Sequence, residues 1–130
     1  MALAGNLRHA YDKNGPLISS SDNLLSDWSN LMNALIDSAI YNPSDQTGIT
    51  RAINIADHII ETFFDNKKGA FYDTVRKSDS IGFLRVREKP LPENITACEG
   101  MLKLYNTTGD SKYLEIARRT LSAFIDTNSN

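Results

Sequence analysis

The sequence predicts an all-α fold with a small β-hairpin, built from stacked antiparallel helical hairpins. The main observation is a near-repeat: segment 55–65 resembles segment 116–126, with Ile, Ala, Phe and Asp in register at an offset of 61 residues. Four stretches also space their apolar residues at the 3.6-residue period of an amphipathic helix. A single hairpin cannot bury its own apolar face, so a repeat longer than one helix implies packed hairpins.

The first two helices are predicted from their caps and their apolar stripes. Ser21 or Asp22 can accept a hydrogen bond from the first-turn amides of the first helix, and Pro43 ends it. A second helix is expected over about residues 44–64. The stripe of the first helix is broad enough to face two neighbours, and it contains Leu24, Leu25, Trp28, Leu31, Met32, Leu35, Ile36, Ala39 and Ile40.

A segment without helical periodicity follows at residues 66–90. Residues 70–74 and 83–87 have the composition and alternation of strands, with a turn at 79–82 between them. A two-stranded hairpin alone is marginally stable in water, so this one is expected to lie against the helices.

The last two helices have clear end signals. Pro92 suits the first turn of a third helix, where its missing N–H costs nothing, and Glu93 favours the positive end of the helix dipole. Gly109 is expected as a left-handed C-cap, and Asp110 as the cap of a fourth helix that ends near Asp126.

The predicted domain organisation is therefore an irregular lead-in at residues 1–21 and one domain at 22–130. That domain contains two αα-hairpins, at about 22–65 and 91–126, joined by the β-hairpin segment 66–90. The repeat places Phe63 and Phe124 at matching core positions.

Composition excludes several classes of protein. The net charge is −2, and the basic residues are interrupted by acids, so no nucleic-acid or membrane partner is predicted. No apolar run reaches the roughly 20 residues of a membrane span. Cys98 is the single cysteine, which excludes an internal disulfide, and two histidines in no ligand spacing predict no metal and no cofactor. A cytoplasmic location is expected.

Several short motifs, in order, carry a resemblance to a known family. They are Leu24–Trp28, Phe64-Asp65, Gly69–Thr74, Leu84–Lys89, Leu91–Asn94 and Leu104–Asp110. In this order and spacing the chain resembles the C-terminal helical region of the YyaL-like family, which includes a spermatogenesis-associated thioredoxin-like protein. The resemblance implies part of an (α/α)6 toroid, similar to N-acylglucosamine 2-epimerases and six-hairpin glycosidases. It also implies an N-terminal thioredoxin-like domain in the full-length protein. This chain has no Cys-x-x-Cys and is not expected to contain that domain.

In such a toroid the first and third helices are inner helices, and their first turns lie near the cavity rim. Asp27 and Glu93 are then candidate catalytic carboxylates, because a pair of acids is the minimum for acid–base chemistry at a sugar. Trp28 and Asn94 beside them are candidate substrate-binding residues. The alternative interpretation makes Trp28 a core residue, while Asp27 and Glu93 stabilise helix dipoles.

Two arginines and one histidine complete the candidates. Arg85 and Arg87 share one face of the predicted strand, where they could hold a carboxylate or phosphate, or pair with nearby glutamates. His58 is expected on an outer helix, away from the cavity, as an ordinary helix-face residue.

The resulting hypothesis is a carbohydrate-processing or carbohydrate-binding toroid fragment with a sugar-like ligand. The sequence leaves open whether the chain is catalytic. The alternatives are a non-catalytic helical-repeat interaction module and a structural neighbour of a thioredoxin-like domain. The broad stripe of the first helix further predicts either self-association or cover from missing helices of the full-length chain.

Overall fold

The computed structural model describes residues 11–12, 15–16, 23–78, 82–85 and 88–127. Its elements, in chain order, are β1 (Tyr11–Asp12), β2 (Gly15–Pro16), β3 (Asn23–Leu24), α1 (Leu25–Tyr41), α2 (Thr47–Phe63), β4 (Thr74–Ser78), β5 (Gly82–Arg85), α3 (Leu91–Thr108) and α4 (Ser111–Thr127). Most of the predicted lead-in lies outside the described residues; within it, β1 pairs with β2.

The four helices form two antiparallel hairpins packed side by side, which confirms the predicted all-α fold. α1 packs against both α2 and α3, and α3 packs against α4. α1 and α3 therefore form one layer, and α2 and α4 form the other. The core lies between them and includes Leu25, Trp28, Met32, Ile36, Ile55, Ile59, Phe63, Met101, Leu104 and Tyr113.

The repeat offset of 61 residues is visible in the burial of α2 and α4. Ala52, Ala56 and Ile59 are buried in α2, and so are Tyr113, Ala117 and Thr120, which lie 61 residues further on in α4. The two phenylalanines predicted at matching core positions are buried to different extents, however. Phe63 is fully buried, whereas Phe124 is only half-buried because it lies in the last turns of α4.

α1 begins two or three residues later than predicted. Residues 23–24 pair with β4 instead of entering the helix. The N-cap residue is Leu24, and no side chain caps the helix. The backbone takes over this role, since the N–H of Leu25 donates to the carbonyl of Asp73 at 2.9 Å.

The β segment also differs from the prediction. β4 is the central strand of a three-stranded antiparallel sheet with order β3-β4-β5, and Val75 lies opposite Arg85. The predicted strand at 70–74 is wrong in position, because Gly69 and Ala70 have φ angles of 85° and 70°. Such angles cannot continue a strand, so the chain turns there and pairing starts at Thr74.

The stripe of α1 faces two neighbouring helices, as predicted, and is mostly covered within the chain, with Ile40 left exposed. α2 and α3 bury five of its side chains, which are Leu25, Trp28, Met32, Ile36 and Ala39.

Among the described residues, no helix is long and apolar enough to cross a membrane.

Candidate functional site

The first turns of α1 and α3 lie at the same end of the helices, because both are attached to one short segment. The N–H of Leu25 in α1 donates to the carbonyl of Asp73. Two residues earlier, Phe71 is bound by the side chain of Asn94 in α3. The structure therefore brings the four candidates at positions 27, 28, 93 and 94 to one end of the helical array.

Asn94 is fully buried at this end, and its amide is engaged with the backbone. Its Oδ1 accepts from the N–H of Phe71 at 2.7 Å, and its Nδ2 donates to the carbonyl of Phe71 at 3.0 Å. The same Nδ2 donates to the carbonyl of Pro90 at 2.9 Å. Asn94 therefore fastens α3 to the segment before β4, and its burial leaves no surface for a ligand.

Trp28 is also part of the core, as the alternative interpretation held. Its ring centroid lies 4.4 Å from that of His58, with the planes tilted by 48°. Burial lowers the pKa of His58, and Glu61 opposes this shift. His58 is thus half-buried against the indole rather than a free helix-face residue.

Asp27 and Glu93 are the candidates at this end with accessible side chains. Both lie in the first turn of their helix and are partly exposed. Arg85 lies in β5, whose side chains are outside the described set, and Arg87 lies outside the described residues altogether. Of the residues predicted to form a site at this end, the two carboxylates are therefore the ones that a ligand can reach.

A polar cluster that the sequence did not predict lies at the same end, after α2. We call Asp65, Tyr72 and Lys89 the Asp65 cluster. Asp65 Oδ2 accepts from the Lys89 ammonium at 2.7 Å and from the Tyr72 hydroxyl at 3.0 Å. Oδ1 accepts from the N–H groups of Lys67 and Lys68 at 3.0 and 3.1 Å. Both carboxylate oxygens are therefore used.

Electrostatics makes Asp65 a firmly ionised group. Burial by itself would raise its pKa, but the hydrogen bonds from Lys89, Tyr72 and the two amides outweigh burial and hold the pKa well below its usual value. Lys89 also donates to the carbonyl of Gly69 at 2.9 Å and lies 4.9 Å from the centre of the Tyr72 ring. The cluster borders an open surface pocket of about 420 Å³ whose rim includes Lys67 and Lys68.

The cluster had only a local signal in the sequence. Asp65 ends a helix and precedes a turn, which is typical of an aspartate that binds the amides of the next residues. Its ammonium partner lies 24 residues further along the chain, and spacing alone does not indicate that contact.

Asp65→Asn is expected to lower the free energy of unfolding at pH 7 by about 1–3 kcal/mol, because it weakens charge-assisted hydrogen bonds in a mostly buried cluster. The folded pKa of Asp65 lies below the unfolded value near 4, so its contribution is present above that pH and is lost as the pH falls below it. Urea unfolding at pH 7 and pH 3 measures both effects, and the variant should show the smaller pH dependence.

Asp37→Asn is the control, because Asp37 also pairs with a lysine, Lys103, but is well exposed. Its loss should stay below about 1 kcal/mol. Equal losses for the two variants would show that the Asp65 cluster is an ordinary surface ion pair.

Within the described residues, no group of three His, Cys, Asp or Glu side chains could hold a metal ion. Cys98 is buried, and burial raises the pKa of its thiol to about 11, so it is a protonated core residue at neutral pH.

Comparison with solved structures identifies the fold of these helices. A cellobiose 2-epimerase from Spirochaeta thermophila DSM 6192 matches with a TM-score of 0.77 and 19% identity, over 94% of this chain and 29% of that chain. An inactive variant of an alpha-1,6-mannanase, GH76A of Salegentibacter sp. HEL1_6, in complex with alpha-1,6-mannotriose, matches at 0.73 and 16%, over 85% and 32%. A D-mannose isomerase matches at 0.64 and 18%, over 79% and 26%.

These neighbours are (α/α)6 toroid enzymes, and the chain has the fold of part of such a toroid. It spans about a third or less of the length of each of them. No protein-family model matches the chain, and no curated protein matches it. The narrower resemblance to the YyaL-like family and its thioredoxin-like domain is not supported by these comparisons.

Proposed function

We propose that the chain is part of a carbohydrate-processing toroid protein and that the end where α1 and α3 begin contacts a sugar. The observation that carries the proposal is the likeness, over most of the chain, to enzymes with different reactions on carbohydrates. The mannanase, the epimerase and the isomerase share a class of substrate rather than a reaction. The proposal therefore names a sugar and assigns no reaction.

Asp27 and Glu93 are the residues proposed to contact the sugar. Ionised carboxylates accept hydrogen bonds from neighbouring hydroxyl groups, and both side chains are partly exposed at the shared end. The inactive mannanase variant carries substitutions at two consecutive aspartates. This sequence contains no such pair, so the proposal does not extend to hydrolysis by that pair.

Asp27→Asn and Glu93→Gln are each expected to weaken sugar binding about tenfold or more, since a hydrogen bond to a charged group contributes about 1.5–3 kcal/mol. Two-dimensional NMR titration with D-mannose, cellobiose and alpha-1,6-mannotriose measures this, with shifts expected at the amides of the first turns of α1 and α3. Glu61→Gln, an exposed carboxylate on α2, is the control and should bind as the unchanged chain does. Shifts confined to other parts of the chain, or equal weakening by the control, would contradict the proposed site.

Membership of the YyaL-like family remains a proposal that rests on the sequence motifs. In the structure these motifs supply Asp65, Tyr72, Lys89 and Asn94, which hold the segment before β4 in place. The presence of these residues is therefore explained by their role in the fold as well as by common ancestry, and the motifs support no particular activity. The second candidate function, a non-catalytic interaction module, is favoured by the apolar side chains that α3 and α4 expose.

A further inference from the structure

The large exposed apolar side chains of the described residues are concentrated on the second hairpin. They are Leu91, Ile95 and Leu102 on α3, and Leu114, Leu121 and Ile125 on α4. Within each helix the three are separated by four and seven residues, the spacing that places side chains on one helix face. The exposed fractions range from 37% for Leu102 to 69% for Ile125.

Both faces point away from the first hairpin and form one surface, which we call the apolar flank. On α3, Gly100 lies against Met32 and Lys103 binds Asp37, both in α1. On α4, Arg119 donates to the carbonyl of Asn66 in the turn after α2. A helix turns by about 100° per residue, so Ile95 lies about 140° around α3 from Gly100, and Leu114 lies about 140° around α4 from Arg119. The apolar side chains of both helices are therefore on the side away from the first hairpin.

The six side chains of the apolar flank form three matched pairs. In each pair, the residue of α3 is separated from the turn at 109–110 by three more residues than its partner in α4. The pairs are Leu102 with Leu114, Ile95 with Leu121, and Leu91 with Ile125. Three residues correspond to about 4.5 Å along a helix, which is less than one turn. A constant stagger of this size lets one column of side chains enter the gaps of the other when the two face each other.

We propose that the apolar flank is the interface of a two-fold dimer of this chain. A two-fold axis parallel to the helices sets α3 of one subunit against α4 of the other, so each column of three meets the complementary column of its partner. The resulting core is a bundle of four antiparallel helices, two from each subunit.

Charge at the edge of the apolar flank favours this partner. Arg118 lies between Leu114 and Leu121, and Glu99 lies between Ile95 and Leu102, both exposed. Counted from the turn, Glu99 and Arg118 are level to within about one helical turn. In the two-fold arrangement, Arg118 therefore lies beside Glu99 of the partner subunit, and it already binds Glu115 in its own chain.

The first hairpin offers a poorer surface for a head-to-tail contact. Its large exposed apolar side chains, among the described residues, are Ile40 and Tyr41 at the far end of α1. A ring built from successive copies would leave most of the apolar flank against polar side chains. The two-fold arrangement buries apolar surface on both sides, and it leaves the proposed sugar-contacting end free.

Sedimentation equilibrium of the 130-residue chain at micromolar concentration tests the dimer. The expected mass is about 29 kDa, twice the 14.5 kDa of one chain. Leu121→Glu should raise the dissociation constant at least a hundredfold, because it places a charge in the apolar contact. Ile40→Glu, an equal change at an exposed residue outside the flank, should leave the dimer intact.

Charge exchange distinguishes this interface from non-specific association. Glu99→Arg and Arg118→Glu should each weaken the dimer at least tenfold, and the two changes together should restore it. Circular dichroism and thermal unfolding would confirm that every variant is folded. The proposal would be overturned by a monomeric or trimeric chain, or by a dimer that persists in the Leu121→Glu variant. It would also be overturned by a double variant whose dissociation constant is as high as those of the single variants. Further hairpins of a longer chain are the competing occupant of this flank; they predict association that depends on Leu121 but not on a contact between Glu99 and Arg118, which is the outcome in which the double variant stays as weakly associated as the single variants.

Discussion

Asn94→Leu is expected to lower the free energy of unfolding by about 3–5 kcal/mol, although leucine has nearly the same size and fits an apolar core. The change leaves the N–H and the carbonyl of Phe71 without their partners in a buried place. It also removes the side-chain bond to the carbonyl of Pro90. Each orphaned buried group costs about 1–3 kcal/mol. Urea unfolding followed by circular dichroism measures the loss.

Asn94→Asp is the matched control, because it keeps the acceptor for the Phe71 N–H and replaces the donor with an oxygen. That oxygen would face two carbonyl groups, so the folded pKa of the new carboxyl should rise above its unfolded value near 4. The penalty should be small below pH 4 and should grow as the pH rises. A loss below about 1 kcal/mol for Asn94→Leu would show that Asn94 does not hold the fold together.

Phe63→Ala is expected to cost about 3–5 kcal/mol, the range for a fully buried phenylalanine. Phe124→Ala, its counterpart in the repeat, should cost roughly 1–2 kcal/mol, since Phe124 is half-buried and its site can relax into solvent. The two substitutions remove the same atoms from equivalent helices, so their difference measures burial. Thermal and chemical unfolding of both variants provide the comparison, and equal losses would contradict the difference in packing.

The helices with explicit end signals were predicted well. Gly109 has the left-handed φ of 74° expected for a C-cap, and the N–H of Lys112 donates to Asp110 Oδ1 at 3.0 Å. These ends depend on contacts within a few residues, which local sequence specifies. The start of α1 was missed because its first amide is bound by Asp73, 48 residues away, instead of by a local side chain.

The common end of α1 and α3 was predicted, but the contacts made there were not. Helical periodicity, together with the toroid that the family resemblance implied, placed the first turns of α1 and α3 at one end, where the structure has them. Trp28 packs against His58, and the side chain of Asn94 binds the backbone of Phe71. Neither contact follows from composition or spacing, and the positive φ of Ala70 that shapes this segment has no residue-type signal.

The contact between Trp28 and His58 has an optical consequence. The chain has a single tryptophan, so its emission comes from one indole that is 1% exposed and lies on an imidazole of the neighbouring helix. Burial lowers the pKa of His58, so the ring stays uncharged in the native state at neutral pH and gains its proton more readily when α1 separates from α2. Acidification should therefore shift the emission to the red only as that separation occurs. The fluorescence of Trp28 therefore reports whether α1 is packed against α2, without any added dye.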